Sequence, residues 1–512
     1  MTRTILQTLV AALSAVLVCG FTPAQGDGGL KGKALDLALL NRLTWGVDAA
    51  SVAELQRLGP DKWLERQLHP LASDRLPPAA QAQIDAMAIS QSSMAQLVMQ
   101  MEAQNQAANR LADPTEKQAA QKAYQDAFND LGRQAATRSL LRDLYSPDQL
   151  QEQMTWFWMN HFNVHMYKAN IRAMIGDYEA EAVRPHALGR FRDLIAATLR
   201  HPAMLRYLDN AENAAGHINE NYARELMELH TLGVDAGYTQ KDVQELARIL
   251  TGVGVDPNPK DPNVPPDRKG ELVRSGLFEF NPARHDYGDK VLLGHLIKGR
   301  GLAEVDQALD VLCREPATAR HISHDLAVYF VSDAPPPDLI AAMAQTFQRT
   351  DGDIAQVIRT MVRSKHFRAS LGRRFKDPIH YAISAVRLAY GEDRPILNAN
   401  PIQGWLGRLA EQPFNHETPD GYALTSPGWT GPGQMAMRFE IARQIGSGSA
   451  GLFKPPVPDA QDEPAFPQLQ NALYYNIIAD TLKPITSAAL AKAVSPQDWN
   501  TLFLASPDFM YR

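Results

Sequence analysis

Four polar side chains share one face of a predicted helix in the middle of the chain. Between residues 219 and 233, apolar residues recur at the i, i+4 and i+7 spacing of a buried stripe. The opposite face carries Asn221, Arg224, Glu225 and Glu228. Two carboxyl groups in unlike environments can act as a general acid and a general base, and a neighbouring guanidinium keeps one of them ionised. The same pattern is also typical of a surface ion-pair network, which contributes little to stability.

A histidine followed by an aspartate is the second candidate. His285 and Asp286 lie in a turn-rich segment, and Gly288 and Lys290 follow them. A loop histidine beside an aspartate can serve as a general base or a ligand, with Asp286 orienting His285. Tight turns also select Asp and Gly, so the segment equally fits ordinary turn chemistry.

A pair of histidines suggests a metal ligand. His161 and His165 are four residues apart and share a helix face, which is the spacing at which two imidazoles can bind a divalent metal. Phe162 stands where the zinc-protease motif has its glutamate, and further ligands would have to come from other segments. Because His161 extends an apolar stripe, a buried, hydrogen-bonded histidine is the alternative.

Almost every segment with a periodic apolar pattern is predicted to be a helix, and these helices must position the candidate residues. The sequence predicts a mainly α protein, a large multi-helix globular domain with one small β-hairpin inserted near residues 277–293. The predicted organisation is a signal peptide over 1–24, N-terminal helices over 35–77, a Gln- and Ala-rich helical arm over 78–140, a main helical body over 141–445, a linker loop over 446–465 and C-terminal helices over 466–512 that pack on the body.

Composition limits the functional classes. A net charge of −6 gives no basic surface for a nucleic acid. The N-terminus has the features of a Sec-type signal peptide: Arg3, then an apolar run from Ile5 to Val18 that is too short to span a bilayer, and small residues before Gln25. We therefore expect a periplasmic or extracellular protein without a transmembrane segment in the mature chain. An uncleaved anchor is the alternative.

Short motifs spread over about residues 35 to 512 carry a family resemblance. They include Leu40 to Gly46 (LNRLTWG), Trp63 to Leu68 (WLERQL), Phe157 to Phe162 (FWMNHF), Tyr207 to Asn210 (YLDN), Asn219 to Gly233 (NENYARELMELHTLG), His285 to Lys290 (HDYGDK), Phe375 to Pro378 (FKDP), Gln412 to Phe414 (QPF) and Ser506 to Phe509 (SPDF). With these motifs the chain resembles the secreted bacterial proteins catalogued as domain of unknown function 1800. That family usually has an aromatic residue where His230 stands, so His230 is set aside as a functional residue.

The resemblance implies a mainly helical, exported protein whose activity is unassigned. It also implies a partner, an exported family similar to sulfatases that is encoded nearby. The family motifs contain polar residues from distant segments, which suggests one shared cluster around a hollow.

Two hypotheses follow. In the first, the protein is a hydrolytic envelope or extracellular enzyme, and a divalent metal is its candidate cofactor. The assigned roles are catalysis for Glu225, Glu228, His285 and Asp286, substrate binding for Arg224, Asn160, Asn221 and Asp209, and metal binding for His161. In the second, the protein is a non-catalytic periplasmic scaffold or partner protein, and the same cluster is structural.

Overall fold

Proline at the first helical position starts many of the helices in the structure, which is a computed structural model. Pro60, Pro114, Pro202, Pro316 and Pro378 each occupy this place. The ring fixes φ near its helical value, and the N–H that proline lacks would have no partner inside the helix. Many of the 34 prolines therefore mark helix starts rather than loops.

The structure describes Leu30, residues 32–71, 75–257, 260–392 and 394–455, Val457, residues 459–461, Glu463 and residues 465–512. The predicted signal peptide over 1–24 lies outside these residues. Gly32–Arg512 forms one compact unit. None of the helices in the described part of the chain is long and apolar enough to cross a membrane.

Helices make up most of the described structure, so the predicted mainly α class is confirmed. In chain order they are α1 (Lys33–Leu43), α2 (Ala49–Leu58), α3 (Pro60–Leu68), α4 (Pro78–Asp85), α5 (Ala88–Gln91), α6 (Met94–Arg110), α7 (Pro114–Tyr145), α8 (Gln149–His161), α9 (Ile175–Asp177), α10 (Phe191–Arg200), α11 (Pro202–Tyr207), α12 (Asn221–Glu228), α13 (Gln240–Ile249), α14 (Ala303–Arg314), α15 (Pro316–Phe330), α16 (Pro337–Arg349), α17 (Ile354–Val362), α18 (Lys365–Ser370), α19 (Pro378–Tyr390), α20 (Asn400–Arg408), α21 (Pro432–Gly446), α22 (Pro484–Leu490) and α23 (Pro496–Leu504).

Shorter helical turns connect several of these helices. The 3₁₀ turns are Ile171–Ala173, Arg184–His186, Asn210–Glu212, Pro266–Glu271, Pro282–Arg284, Ser426–Trp429 and Ala479–Thr481, and the π turns are Tyr178–Val183 and Tyr474–Ile478.

Within the described residues, five short strands form two small antiparallel sheets: β1 (Val253–Val255), β2 (Val273–Ser275), β3 (Phe278–Phe280), β4 (Lys290–Leu292) and β5 (His295–Ile297). The first sheet has the order β1-β3-β2, and the second pairs β4 with β5. The single hairpin predicted near 277–293 is therefore wrong in its pairing, because β3 and β4 belong to different sheets. Leu293 and Gly294 both have positive φ and join β4 to β5 in two residues, the geometry of a type I′ hairpin turn.

Helix α8 lies in the middle of the core. Trp158 and Phe157 are almost completely buried, and the Trp158 indole donates to the carbonyl of Ala187 at 2.9 Å. Helices α1, α3 and α7 pack around α8, together with the turns over residues 178–186. The C-terminal end of this helix brings Asn160 and His161 toward α12.

The Gln- and Ala-rich region contains α4 to α7. Its longest helix, α7, begins at Pro114, and the side chain of Asp113 before it accepts hydrogen bonds from the backbone N–H groups of Thr115 and Glu116. Instead of ending near residue 140, α7 continues to Tyr145 and packs against α9, α19 and α20.

Candidate functional site

Helix α12 presents its carboxyl groups on a half-buried face, while its apolar stripe faces the core. Tyr222 and Leu226 are almost fully buried. The helix ends at Glu228, and two carbonyls just beyond its end accept hydrogen bonds from imidazoles. The Nε2 of His321 lies 3.1 Å from the oxygen of Leu229, and the Nε2 of His161 lies 3.2 Å from that of His230. Such bonds satisfy groups that a helix end leaves unpaired.

Glu225 is a half-buried carboxyl group on the polar face of α12. Burial raises the pKa of its carboxyl group, and the neighbouring charges of Glu228 and Asp420 raise it further, whereas Arg224 acts in the opposite direction. No described group donates a hydrogen bond to the side-chain carboxyl group of either Glu225 or Glu228, since the guanidinium of Arg224 bonds to Glu220 at 3.2 Å. Nearby, burial also raises the pKa of Tyr207.

A clamped loop over residues 412–422 carries Asp420 toward α12. The Asn160 amide donates to the carbonyl of Tyr422 at 3.0 Å and accepts from its N–H at 2.6 Å. Asn163 donates to two carbonyls of the loop, at 3.0 and 2.8 Å, and the Tyr207 hydroxyl donates to a third at 2.7 Å. All of these bonds go to backbone groups of the loop, so they fix the loop without involving its charged side chains, such as Asp420.

Gly421 is required where the loop meets α8. Its φ is +71°, and a Cβ built on it would lie 2.3 Å from the backbone oxygen and 2.7 Å from the side-chain oxygen of Asn160. Only glycine allows this close approach.

The predicted substrate-binding residues already bond to neighbouring groups of the protein. Both polar atoms of the Asn160 side chain are occupied by the loop, and the Asn221 amide donates to the carbonyl of Leu208 at 3.2 Å. Asp209, at a φ of +59°, pairs with Lys168 at 2.7 Å. Asp209 and Arg224 remain partly exposed, and substrate binding by these residues stays a prediction.

The structure does not join His285 and Asp286 to the carboxyl groups of α12. The His285 side chain is fully buried, with its Nε2 2.9 Å from Glu304 and its Nδ1 2.7 Å from the carbonyl of Thr251. Lys290 is the second buried partner of Glu304, at 2.5 Å. The Asp286 carboxylate pairs with Arg248 at 2.8 Å, which lowers the pKa of Asp286. These contacts connect β4 to α13 and α14.

A histidine cluster around Asp325 was missed by the sequence reasoning. Its carboxylate lies 3.8 Å from His161, 3.5 Å from His321 and 3.0 Å from His324. His321, His324 and Asp325 are spaced i, i+3, i+4 on α15, which places them on one face of the helix. This spacing is visible in the sequence and could have indicated the cluster. His230 is fully buried, and its ring centroid is 6.0 Å from that of His161. Neither of its ring nitrogens has a hydrogen-bond partner among the described residues.

Burial dominates the electrostatics of this cluster. Burial lowers the pKa of His161, Asp325 acts in the opposite direction and His321 lowers it, and the net result is a pKa of about 4. His161 is therefore neutral at pH 7, and its Nε2 carries the proton that it donates to His230. In the described part of the chain, no three His, Cys, Asp or Glu side chains are placed to hold a metal ion as they stand. Metal binding by His161 stays a prediction.

Together, these features define a mainly α-helical protein in which polar residues of the motifs lie at the C-terminal end of α8, along α12 beside the middle of α15, and around two small sheets. The chain belongs to the family described as protein of unknown function (DUF1800), whose model matches residues 38–511. The predicted family is thereby confirmed. Comparison with curated proteins and with solved structures gave no significant match.

The contact between Gly421 and Asn160 gives a first prediction. We expect Gly421→Ala to lower the free energy of unfolding by about 1–3 kcal/mol more than a glycine replacement in open space, because the loop must move away from α8. Gly372→Ala is the matched control, since Gly372 has the same φ of +71° and a Cβ at that position would have no atom within 4 Å. Urea unfolding of both variants measures the difference, and equal losses would contradict the clamp.

Buried His161 predicts a pH dependence of stability. Its folded pKa, about 4, lies below the value of about 6.5 expected for the unfolded chain. The unfolded state therefore binds more protons at acidic pH. The stabilisation is fully present above about pH 6.5 and is lost as the pH falls toward 4, by about 3 kcal/mol in total.

The measurement for His161 is the free energy of unfolding between pH 4 and 7. We expect His161→Phe, which keeps a ring beside Phe157 and Trp158, to reduce the slope of the free energy of unfolding against pH. The reduction corresponds to the uptake of up to one proton on unfolding. An unchanged slope would show that His161 does not titrate differently on unfolding.

Proposed function

We propose that the protein is a hydrolase in which Glu225 is the general acid and Glu228 is the general base, with Asp420 beside them on the clamped loop. The proposal rests on one observation: the carboxyl group of Glu225 is half-buried among carboxylates, its pKa is raised, and no described group donates a hydrogen bond to it. Structural carboxylates elsewhere in the chain, such as Glu304 and Glu152, have cationic partners within 2.5–2.7 Å.

The chemistry follows from the raised pKa of Glu225. A carboxyl group whose pKa is raised stays protonated closer to neutral pH and can donate a proton to a leaving group. Glu228, one helical turn away on the same face, is positioned to accept a proton from an attacking water. Arg224 and the Lys168–Asp209 pair at the rim supply charges of both signs for binding a polar substrate. The proposal omits His285 because its ring is fully buried and bonded on both nitrogens.

The proposed setting is the bacterial periplasm or the exterior of the cell, reached through the N-terminal signal peptide. A sulfatase-like partner, which the family resemblance implies, belongs to the same proposal. N-terminal sequencing of the exported protein tests the setting. We expect a start at Gln25, and a chain that retains its first 24 residues in the cytoplasm would contradict it.

One observation favours the scaffold alternative. Several of the polar residues in the family motifs have structural roles here: His285 pairs with Glu304, Asp286 with Arg248, and Asn160 with the 412–422 loop. If all such residues were structural, the protein would need no catalytic centre. Replacing Glu225 separates the enzyme from the scaffold.

The test of the enzyme proposal replaces Glu225 by Gln in the mature protein. A panel of chromogenic esters, glycosides and phosphate esters serves as substrates. We expect Glu225→Gln to lower the turnover of an accepted substrate by about 100-fold or more, the range of general acid–base catalysis, with unchanged melting. Glu181→Gln, at an exposed position outside the site, should retain full activity.

A labelling experiment tests the acid directly and needs no substrate. A water-soluble carbodiimide with an amine nucleophile couples to protonated carboxyl groups, so at pH 6 we expect Glu225 to be labelled before Glu181. Peptide mass spectrometry gives the two rates. Equal rates, or a Glu225→Gln variant that loses its fold rather than its activity, would contradict the proposal and favour the scaffold.

A further inference from the structure

We propose that the protein has a second binding site, an aromatic groove between α22 and α23 that binds an uncharged, proline-rich peptide segment of a partner protein. The groove has a volume of about 540 Å³ and lies beside the π turn Tyr474–Ile478. It is formed by other residues than the carboxyl site on α12, so the inference does not depend on the proposed hydrolase.

The aromatic rings of the groove are fixed at right angles to one another. Trp499, 6% exposed, is packed beneath, and its ring centroid is 4.8 Å from that of Tyr474 at an interplanar angle of 89°. Tyr475 lies 5.1 Å from Tyr474 at 76° and is 60% exposed. Perpendicular rings leave slots between them, and rigid aromatic side chains lose little entropy on binding.

The rim of the groove carries two large side chains that are open to water. Val494 is 91% exposed, and it lines the same groove as the exposed ring of Tyr475. Neighbouring large apolar side chains left open to water mark interaction sites, whereas single ones do not.

The charge of the groove restricts its ligand. None of the described residues that line it is charged, and its polar groups are the hydroxyls of Ser487 and Ser495, the Gln470 amide and the two tyrosine hydroxyls. Ser495 accepts a hydrogen bond from the N–H of Asp498, so its own O–H remains able to donate. A neutral ligand that offers hydrogen-bond acceptors is complementary to this lining.

Among the common modes of peptide recognition, one fits this groove. Strand addition needs a sheet edge, but the walls here are helical. Phosphopeptides need a cluster of arginines, and no arginine lines the groove. An amphipathic helix needs anchors over two turns, whereas 540 Å³ is roughly the volume of one turn with its side chains. A proline-rich segment is uncharged, preformed in the polyproline II conformation and exposes its carbonyls, and such segments bind in aromatic-lined grooves.

The experiment titrates the mature full-length protein with a peptide of ten prolines by isothermal titration calorimetry. We expect saturable binding to one site and at least tenfold weaker binding by Tyr475→Ala. Val494→Asp, which places a carboxylate in the neutral groove without disturbing the core, should weaken binding as strongly. Phe439→Ala is the matched control, because Phe439 is 48% exposed on α21 outside the groove. Thermal melting confirms that each variant is folded.

The alternatives give distinct results. A Gly-Ser peptide of the same length should not bind, since it lacks the preformed conformation. Absent binding of the proline peptide, or equal weakening by Phe439→Ala, would overturn the proposal. Binding of a neutral oligosaccharide such as chitohexaose through Tyr475, with no binding of the proline peptide, would overturn it in favour of a glycan site.

Discussion

The backbone carbonyls at the C-terminal end of α12 need partners inside the protein, and this requirement sets the geometry of the candidate site. Buried peptide groups without hydrogen bonds are costly. His161 from α8 and His321 from α15 meet the requirement for His230 and Leu229. Because three helices converge on these two bonds, the orientation of α12 is fixed and the carboxyl groups of Glu225 and Glu228 are presented on its remaining face.

The same requirement explains why so many polar residues of the family motifs serve the fold. Glu304 is fully buried, and it is tolerated because His285, Lys290 and two backbone N–H groups surround its carboxylate. Removing one member of such a group leaves an uncompensated charge and costs about 3–5 kcal/mol. A residue can therefore be characteristic of a family because its loss unfolds the protein, and its presence in a motif does not by itself indicate catalysis.

Local patterns in the sequence predicted the helices well. The apolar stripe of α12, for example, is encoded within a few residues. The hairpin was mispaired because Leu293-Gly294 is an uncommon sequence for a two-residue turn, whereas Asn-Gly would have marked it. The chemistry of the side chains could not be predicted in the same way. Asn160 bonds to Tyr422, 262 positions away, and no spacing along the chain indicates such a pair.

The distinction between site and scaffold then depends on which buried polar groups lack partners. Asn160, His285 and Asp286 had the residue types of a catalytic centre, but each has its hydrogen-bonding partners within the protein. Glu225 was indistinguishable from them in the sequence, yet in the described structure no donor reaches its carboxyl group while burial and two neighbouring carboxylates raise its pKa. Cations stabilise the buried carboxylates of Glu304 and Glu152, whereas leaving the carboxyl group of Glu225 without a donor adds no stability to the fold. We assign Glu225 a chemical role because its carboxyl group has no stabilising partner in the fold. Membership of a motif is not the reason.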